Sequence, residues 1–219
     1  MDALVAFAAA LLSFRLAGLL AARWRASRRP ELLAWSAGLT AYAVAAVAIA
    51  WGEAHDWDGL TFRVYYATGG LLTAPLLGAG SLLLAGRRRA APVALLYVGL
   101  AVGISLAMPL HGAFASTGIP HAQDHLAFLP ARLLAILANS LGTLAVVGVA
   151  LRSIRKRPLG NALIVAGIAA AAIGSGLAGL GAAGSAIGIA VGAVLLYAGF
   201  VFPMRFPAAF RPHGAVKSS

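Results

Sequence analysis

Long apolar runs separated by short polar or basic stretches dominate the chain from end to end. Seven runs stand out: Leu4 to Ala22, Glu31 to Trp51, Leu60 to Ala85, Ala91 to Leu110, Pro130 to Leu151, Asn161 to Leu180 and Ser185 to Phe202. Each is close to the ~20 residues that a helix needs to cross the hydrocarbon core of a bilayer. Lipid cannot satisfy exposed backbone groups, and the runs are too long for barrel strands, so each is expected to be a helix. The fold class predicted is an all-α membrane protein, a seven-transmembrane helix bundle. It forms one membrane domain over residues 1–203, because no loop is long enough for a soluble domain.

The charges orient the bundle. Clusters at Arg23 to Arg29, Arg87 to Arg89 and Arg152 to Arg157 alternate with the acidic turn Glu53, Asp56 and Asp58. Basic residues stay on the cytoplasmic side of a membrane, which puts the N-terminus outside and the C-terminus inside. In that orientation fourteen of the seventeen Lys and Arg lie inside and five of the six Asp and Glu lie outside. Asp2 before the first run and four arginines after it predict a retained span rather than a cleaved signal. Residues 204–219 are expected to be a short basic cytoplasmic tail, too short for a kinase or cyclase.

Composition agrees. The 219 residues are 61% hydrophobic and 11% charged, with a mean hydropathy of +0.90, against roughly 25% charged in soluble domains. The net charge of +11 would fit nucleic acid if it were clustered on one surface. Its distribution between the apolar runs fits anionic lipids at the cytoplasmic face instead. The location expected is the cell membrane, with no nucleic-acid partner. Absence of cysteine excludes disulfides and thiol chemistry.

Ionisable residues inside apolar runs are the candidates for function. Arg63 and Arg132 fall in the first turns of inward-running spans, at outer-leaflet depth. Asn139 lies seven residues after Arg132, and so on the same helix face. Tyr66 lies one turn after Arg63. These four could line an outward-facing cationic pocket. The competing reading is that both arginines pair with Glu53, Asp124 or lipid phosphates and pin the helices at the interface. Arg15 interrupts the first run, about 12 Å from Arg23 at 1.5 Å per residue, with no carboxylate inside any run to pair with it. It either reaches a wet cavity between helices or snorkels to the surface, and it is carried as a further pocket candidate.

His121 and His125 stand four apart on the outer side, and Glu53 lies near His55, a set that can ligate zinc or copper or respond to pH. Gly184, Gly188 and Gly192 repeat every four residues, and Gly174 and Ala178 do likewise in the preceding span. Such spacing lets helix backbones approach closely, either in a hairpin of the last two spans or between chains. No enzyme set is apparent. The last span lacks the lysine of a retinal protein. Ile173-Gly174-Ser175-Gly176 lacks the first glycine of an intramembrane serine-protease motif. The acids and histidines of intramembrane metal hydrolases are missing from the spans.

The stretches RVYYATGGLLTAPLLGAGSLLL, LANSLGTLAVVGVAL and GNALIVAGIAAAAIGSGLAGLG resemble an uncharacterised family of bacterial seven-span membrane proteins. More loosely, the number and spacing of helices resemble the seven-helix sensor segments of bacterial histidine kinases. That resemblance, with the embedded outer arginines and the missing catalytic set, implies a non-enzymatic sensor or accessory module. It would bind a ligand from outside and signal through a separate protein. The alternative is a small transporter of a polar or anionic solute, since spans one to three and five to seven share direction as in a parallel repeat.

Overall fold

The computed structural model describes residues 2–114, 118–153, 155, 158–179 and the positions 191, 192, 194–196, 198 and 199. Among these residues every regular element is helical and no strand occurs. Five helical segments are long and apolar enough to cross a membrane: Ala3–Ser27, Pro30–His55, Gly59–Leu84, Ala90–Ala107 and Phe128–Arg152. They correspond to the first five predicted spans. Where the sixth was expected, Pro158–Gly179 is helical. The seventh, with Gly184 and Gly188, lies outside the described residues apart from the seven positions named above, which are helical.

Helix α1 (Asp2–Ser27) packs along α2 (Pro30–His55), and α2 packs in turn on the third segment. That segment has three parts: α3 (Gly59–Tyr65), a π-helical stretch (Tyr66–Leu72) and α4 (Thr73–Leu84). Helix α2 is the central element, the most deeply buried of the five long apolar segments, and α5 (Ala90–Ala107) is the least buried. Pro30 opens α2 at a position where a missing N–H costs nothing. Helix α5 ends three residues short of the predicted Leu110. Met108 precedes Pro109 and takes extended backbone, as steric conflict with the proline ring demands.

Two apolar clusters hold the bundle. At the end that carries the Glu53–Asp58 turn, Ile49, Trp57, Phe62, Tyr66, Leu71 and Leu126 pack together, with Phe62 and Leu71 fully buried. Toward the opposite end, Leu16, Leu20, Leu32, Trp35, Leu77 and Val146 pack with Ile164 and Leu196. The two tryptophans of the turn between α2 and α3 take different places. Trp51 is exposed and stacks on His55 with ring centroids 4.1 Å apart, as an interfacial Trp should. Trp57 instead folds back into the core, its ring filling the place where a Cβ on Gly52 would stand, 2.5 Å from Cε2. Asp56, with φ +66°, makes that reversal, a backbone state that Asp tolerates better than most residues. Asp58 then caps α3, its carboxylate accepting from the Thr61 N–H at 2.6 Å.

Glycines set the closest approaches. An added Cβ on Gly78 would stand 2.7 Å from the Gly142 Cα, and one on Gly142 would collide with the Ala74 carbonyl and lie 2.8 Å from the Pro75 nitrogen. Beyond the short α6 (Ala122–His125) comes α7 (Leu133–Arg152), and α4 and α7 therefore cross backbone against backbone. Gly192 makes a similar approach within the chain, its carbonyl 3.0 Å from the Cβ position of Gly167 on α8 (Pro158–Gly179).

Candidate functional site

The third segment is not one continuous α-helix, and its break organises the site. Pro75 has no N–H, so the Leu71 carbonyl four residues earlier loses its helical donor. The preceding turn widens: the Thr73 N–H bonds to the Thr68 carbonyl five residues back, and the Thr73 hydroxyl donates to the same oxygen at 2.8 Å. Side chains from two other helices bond carbonyls at the break, that of Leu71 among them. The Tyr97 hydroxyl on α5 donates to Leu71 O at 2.6 Å. The Asn139 Nδ2 on α7 donates to Gly70 O at 2.6 Å. Neighbouring helices commonly restore backbone bonding where a proline interrupts a membrane helix.

Beside this break lies a cavity of about 560 Å³. One wall is the face of α7 and the kinked turn before it (Phe128–Arg132), whose backbone is extended at Leu129, contributing Arg132, Ala135, Asn139 and Ser140. The facing wall is Tyr65, Tyr66 and Gly70, and the rim is the segment from Ile119 to Gln123. Arg132 lies 5.7 Å from the Phe128 ring centroid. No carboxylate meets it: among the described residues the one ion pair is Arg29–Glu31, at the turn between α1 and α2. The Tyr66 hydroxyl reaches the Ala131 carbonyl at 3.4 Å, the long end of hydrogen bonding.

Of the five pocket candidates, the structure brings Tyr66, Arg132 and Asn139 together on this cavity. Asn139 has a structural bond as well as a place in the wall. Arg63 does not join them. It turns to α5, where its Nη1 donates to the carbonyls of Ser105 at 2.5 Å and Leu106 at 3.3 Å. Those carbonyls belong to the last turn of α5, where helix acceptors lack intrahelical partners and a cation is favoured. Neither Arg63 nor Arg132 pairs with Glu53 or Asp124. Arg15 lies on the exposed outer face of α1, between the exposed Leu11, Phe14 and Leu19.

The histidines separate. His121 lines the cavity rim. His125 is buried, stacked on Phe114 at 4.2 Å, with its Nδ1 3.0 Å from the His111 carbonyl. The His111 N–H donates back to the His125 carbonyl at 3.0 Å, closing the loop on itself. His55 is occupied by Trp51. Among the described residues no three His, Asp or Glu side chains gather as a metal site, and the set His121, His125, His55 and Glu53 does not converge. Glu53 Oε1 is buried without a hydrogen-bond partner among the described residues.

Sequence reasoning missed Tyr65, Gln123 and Ser140 in the wall. Ser140 was within reach of it, since it follows Arg132 by eight residues and shares the helix face. No protein-family model, curated protein or solved structure matches this chain.

Proposed function

We propose that the chain is a seven-span protein of the cell membrane, with its N-terminus outside, that acts as a non-enzymatic sensor or accessory module. Its outer cavity takes a small anionic ligand, and the response passes to a separate membrane partner. The observation that carries this is Arg132, a cation in a cavity wall beside Tyr66 and Asn139 with no carboxylate against it. The guanidinium is an efficient carboxylate and phosphate receptor. The π-helical turn in the facing wall is a form of helix frequently found at functional sites.

A transporter of the same class of solute is the second reading. Against it stands the crossing of α4 and α7 at Gly78 and Gly142, one turn beyond Asn139, where the backbones leave no room for a passing solute. Benzoate, acetate and inorganic phosphate, titrated against the detergent-solubilised protein, test the site. At least one should raise the melting midpoint with concentration, by about 2.7 kcal/mol of added stability at a hundredfold excess over Kd, and Arg132→Gln should abolish the rise. A midpoint indifferent to all three, or a rise surviving in Arg132→Gln, would refute the assignment. Flux of the stabilising anion into proteoliposomes would favour the transporter.

A further inference from the structure

Arg15 stands close to the midpoint of α1 (Asp2–Ser27). It is exposed on the face of that helix that turns away from the bundle, in a row with the exposed apolar Leu11, Phe14 and Leu19. It makes no hydrogen bond or ion pair among the described residues, in contrast with Arg63. Such a residue cannot rest against hydrocarbon uncompensated, and charged residues inside membranes usually pair or face water. Escape to a head-group region is poorly served here. Helical side chains lean toward the N-terminal end, and that end is about 20 Å away at 1.5 Å per residue. One turn on, Gly18 lies on the same exposed face, and a Cβ built there would meet nothing within 4 Å. The cation is thus flanked by a site of close backbone approach.

We infer that the outer face of α1 around Arg15 and Gly18 docks a membrane-spanning helix of a different protein that carries an Asp or Glu at mid-span. Charge complementarity selects this occupant. A second copy of the chain cannot supply the carboxylate, because all six of its acids lie at helix ends or in loops: Asp2, Glu31, Glu53, Asp56, Asp58 and Asp124. The aliphatic and aromatic side chains on either side exclude water from the pair, and Gly18 lets the partner's backbone come near enough for its short acidic side chain to reach the guanidinium. This gives the accessory module its route to a partner and rests on that reading. It does not use the outer cavity, so its failure leaves the anion titration untouched.

The test uses the full chain in phosphatidylcholine vesicles, labelled at Ser27→Cys, since the native chain offers no other thiol. Energy transfer is measured to three synthetic Leu/Ala helices of spanning length that carry Asp, Asn or Leu at their centre. The Asp peptide should associate about tenfold or more tightly than the Leu peptide, with Asn between. Arg15→Leu should bring the Asp peptide down to the level of the Leu peptide. Gly18→Leu, which keeps the charge, should weaken it severalfold. Both variants should melt as the parent does, because both residues are exposed, Arg15 makes no hydrogen bond or ion pair among the described residues, and a Cβ at Gly18 meets nothing within 4 Å. Equal binding of the Asp and Leu peptides would overturn the inference. So would a preference that survives Arg15→Leu, Arg15-dependent self-association without peptide, or a lowered melting midpoint in Arg15→Leu. Loss of the preference in phosphatidylglycerol vesicles would also overturn it, as it would show lipid head groups holding the guanidinium.

Discussion

Replacing Tyr97 by Phe removes one hydroxyl and leaves the ring, so it isolates the bond to the Leu71 carbonyl. That carbonyl belongs to a fully buried residue, and its helical donor is missing because position 75 is proline. Leaving a buried acceptor unserved costs about 1–3 kcal/mol in general, while side-chain bonds between membrane helices average about 0.6 and reach about 1.7 kcal/mol. The 2.6 Å distance and the lack of any backbone alternative place this bond at the upper end, about 1.5 kcal/mol. The decisive measurement is a cycle with Pro75→Ala, because that substitution restores an N–H to the helix. In that background the Tyr97→Phe cost should shrink to a few tenths of a kcal/mol, giving an interaction energy of about 1 kcal/mol. Reversible unfolding in mixed micelles, followed by helical circular dichroism, measures all four corners. Strictly additive costs would show that Tyr97 is not compensating for the proline, and the account of the break would fall.

At the α4–α7 crossing, Gly142→Ala and Gly78→Ala should each cost about 1–3 kcal/mol by overpacking, while Gly148→Ala on the same helix, where a Cβ meets nothing within 4 Å, should be neutral or better. Arg63→Gln should lower the melting midpoint by several degrees through loss of charged bonds worth about 1.5–3 kcal/mol, whereas Arg132→Gln should leave it unchanged without ligand; the reverse order would exchange their roles. Hydrogen bonds from Thr61 hold the Asp58 carboxyl below its ordinary value of 3.8. Its contribution to stability is therefore complete above that value and lost as pH falls through the lowered one; Asp58→Asn should flatten this acid dependence, and because Asp58 is exposed, salt should weaken it. Cysteines at Asp56 and Gln123 should react with an impermeant thiol reagent on intact cells, and cysteines at Ser27 and Ser153 should not; labelling of the inner pair would reverse the orientation.

Apolar length made the first five helices legible, because the cost of unsatisfied backbone in lipid leaves no other structure for such runs. The face shared by Arg132 and Asn139 was legible for the same reason, since helical periodicity alone puts them together. Two things were not legible. The direction taken by Arg63 depends on where α5 ends, and that is fixed by Pro109 more than forty residues away. The fate of Trp57 depends on Gly52 leaving a gap beneath a turn whose reversal rests on Asp56. The π-helical turn did leave a trace, in Gly69-Gly70 followed by Pro75, but hydropathy averages over it. Loop residues such as Gln123 carry no periodicity, so nothing in the sequence could bring them to the cavity rim.

The two carbonyls at Gly70 and Leu71 also impose a timetable on synthesis. Their donors lie at positions 97 and 139, which emerge from the ribosome after the third span is complete. Until Tyr97 is made, the Leu71 carbonyl has lost its helical donor to Pro75 and has no side chain to replace it. An unserved acceptor in lipid costs several kcal/mol, so this span reaches its full stability only when its successors are in place. The third span is therefore finished by its successors, and a nascent chain arrested before Asn139 is made is a chain whose membrane domain is still chemically incomplete.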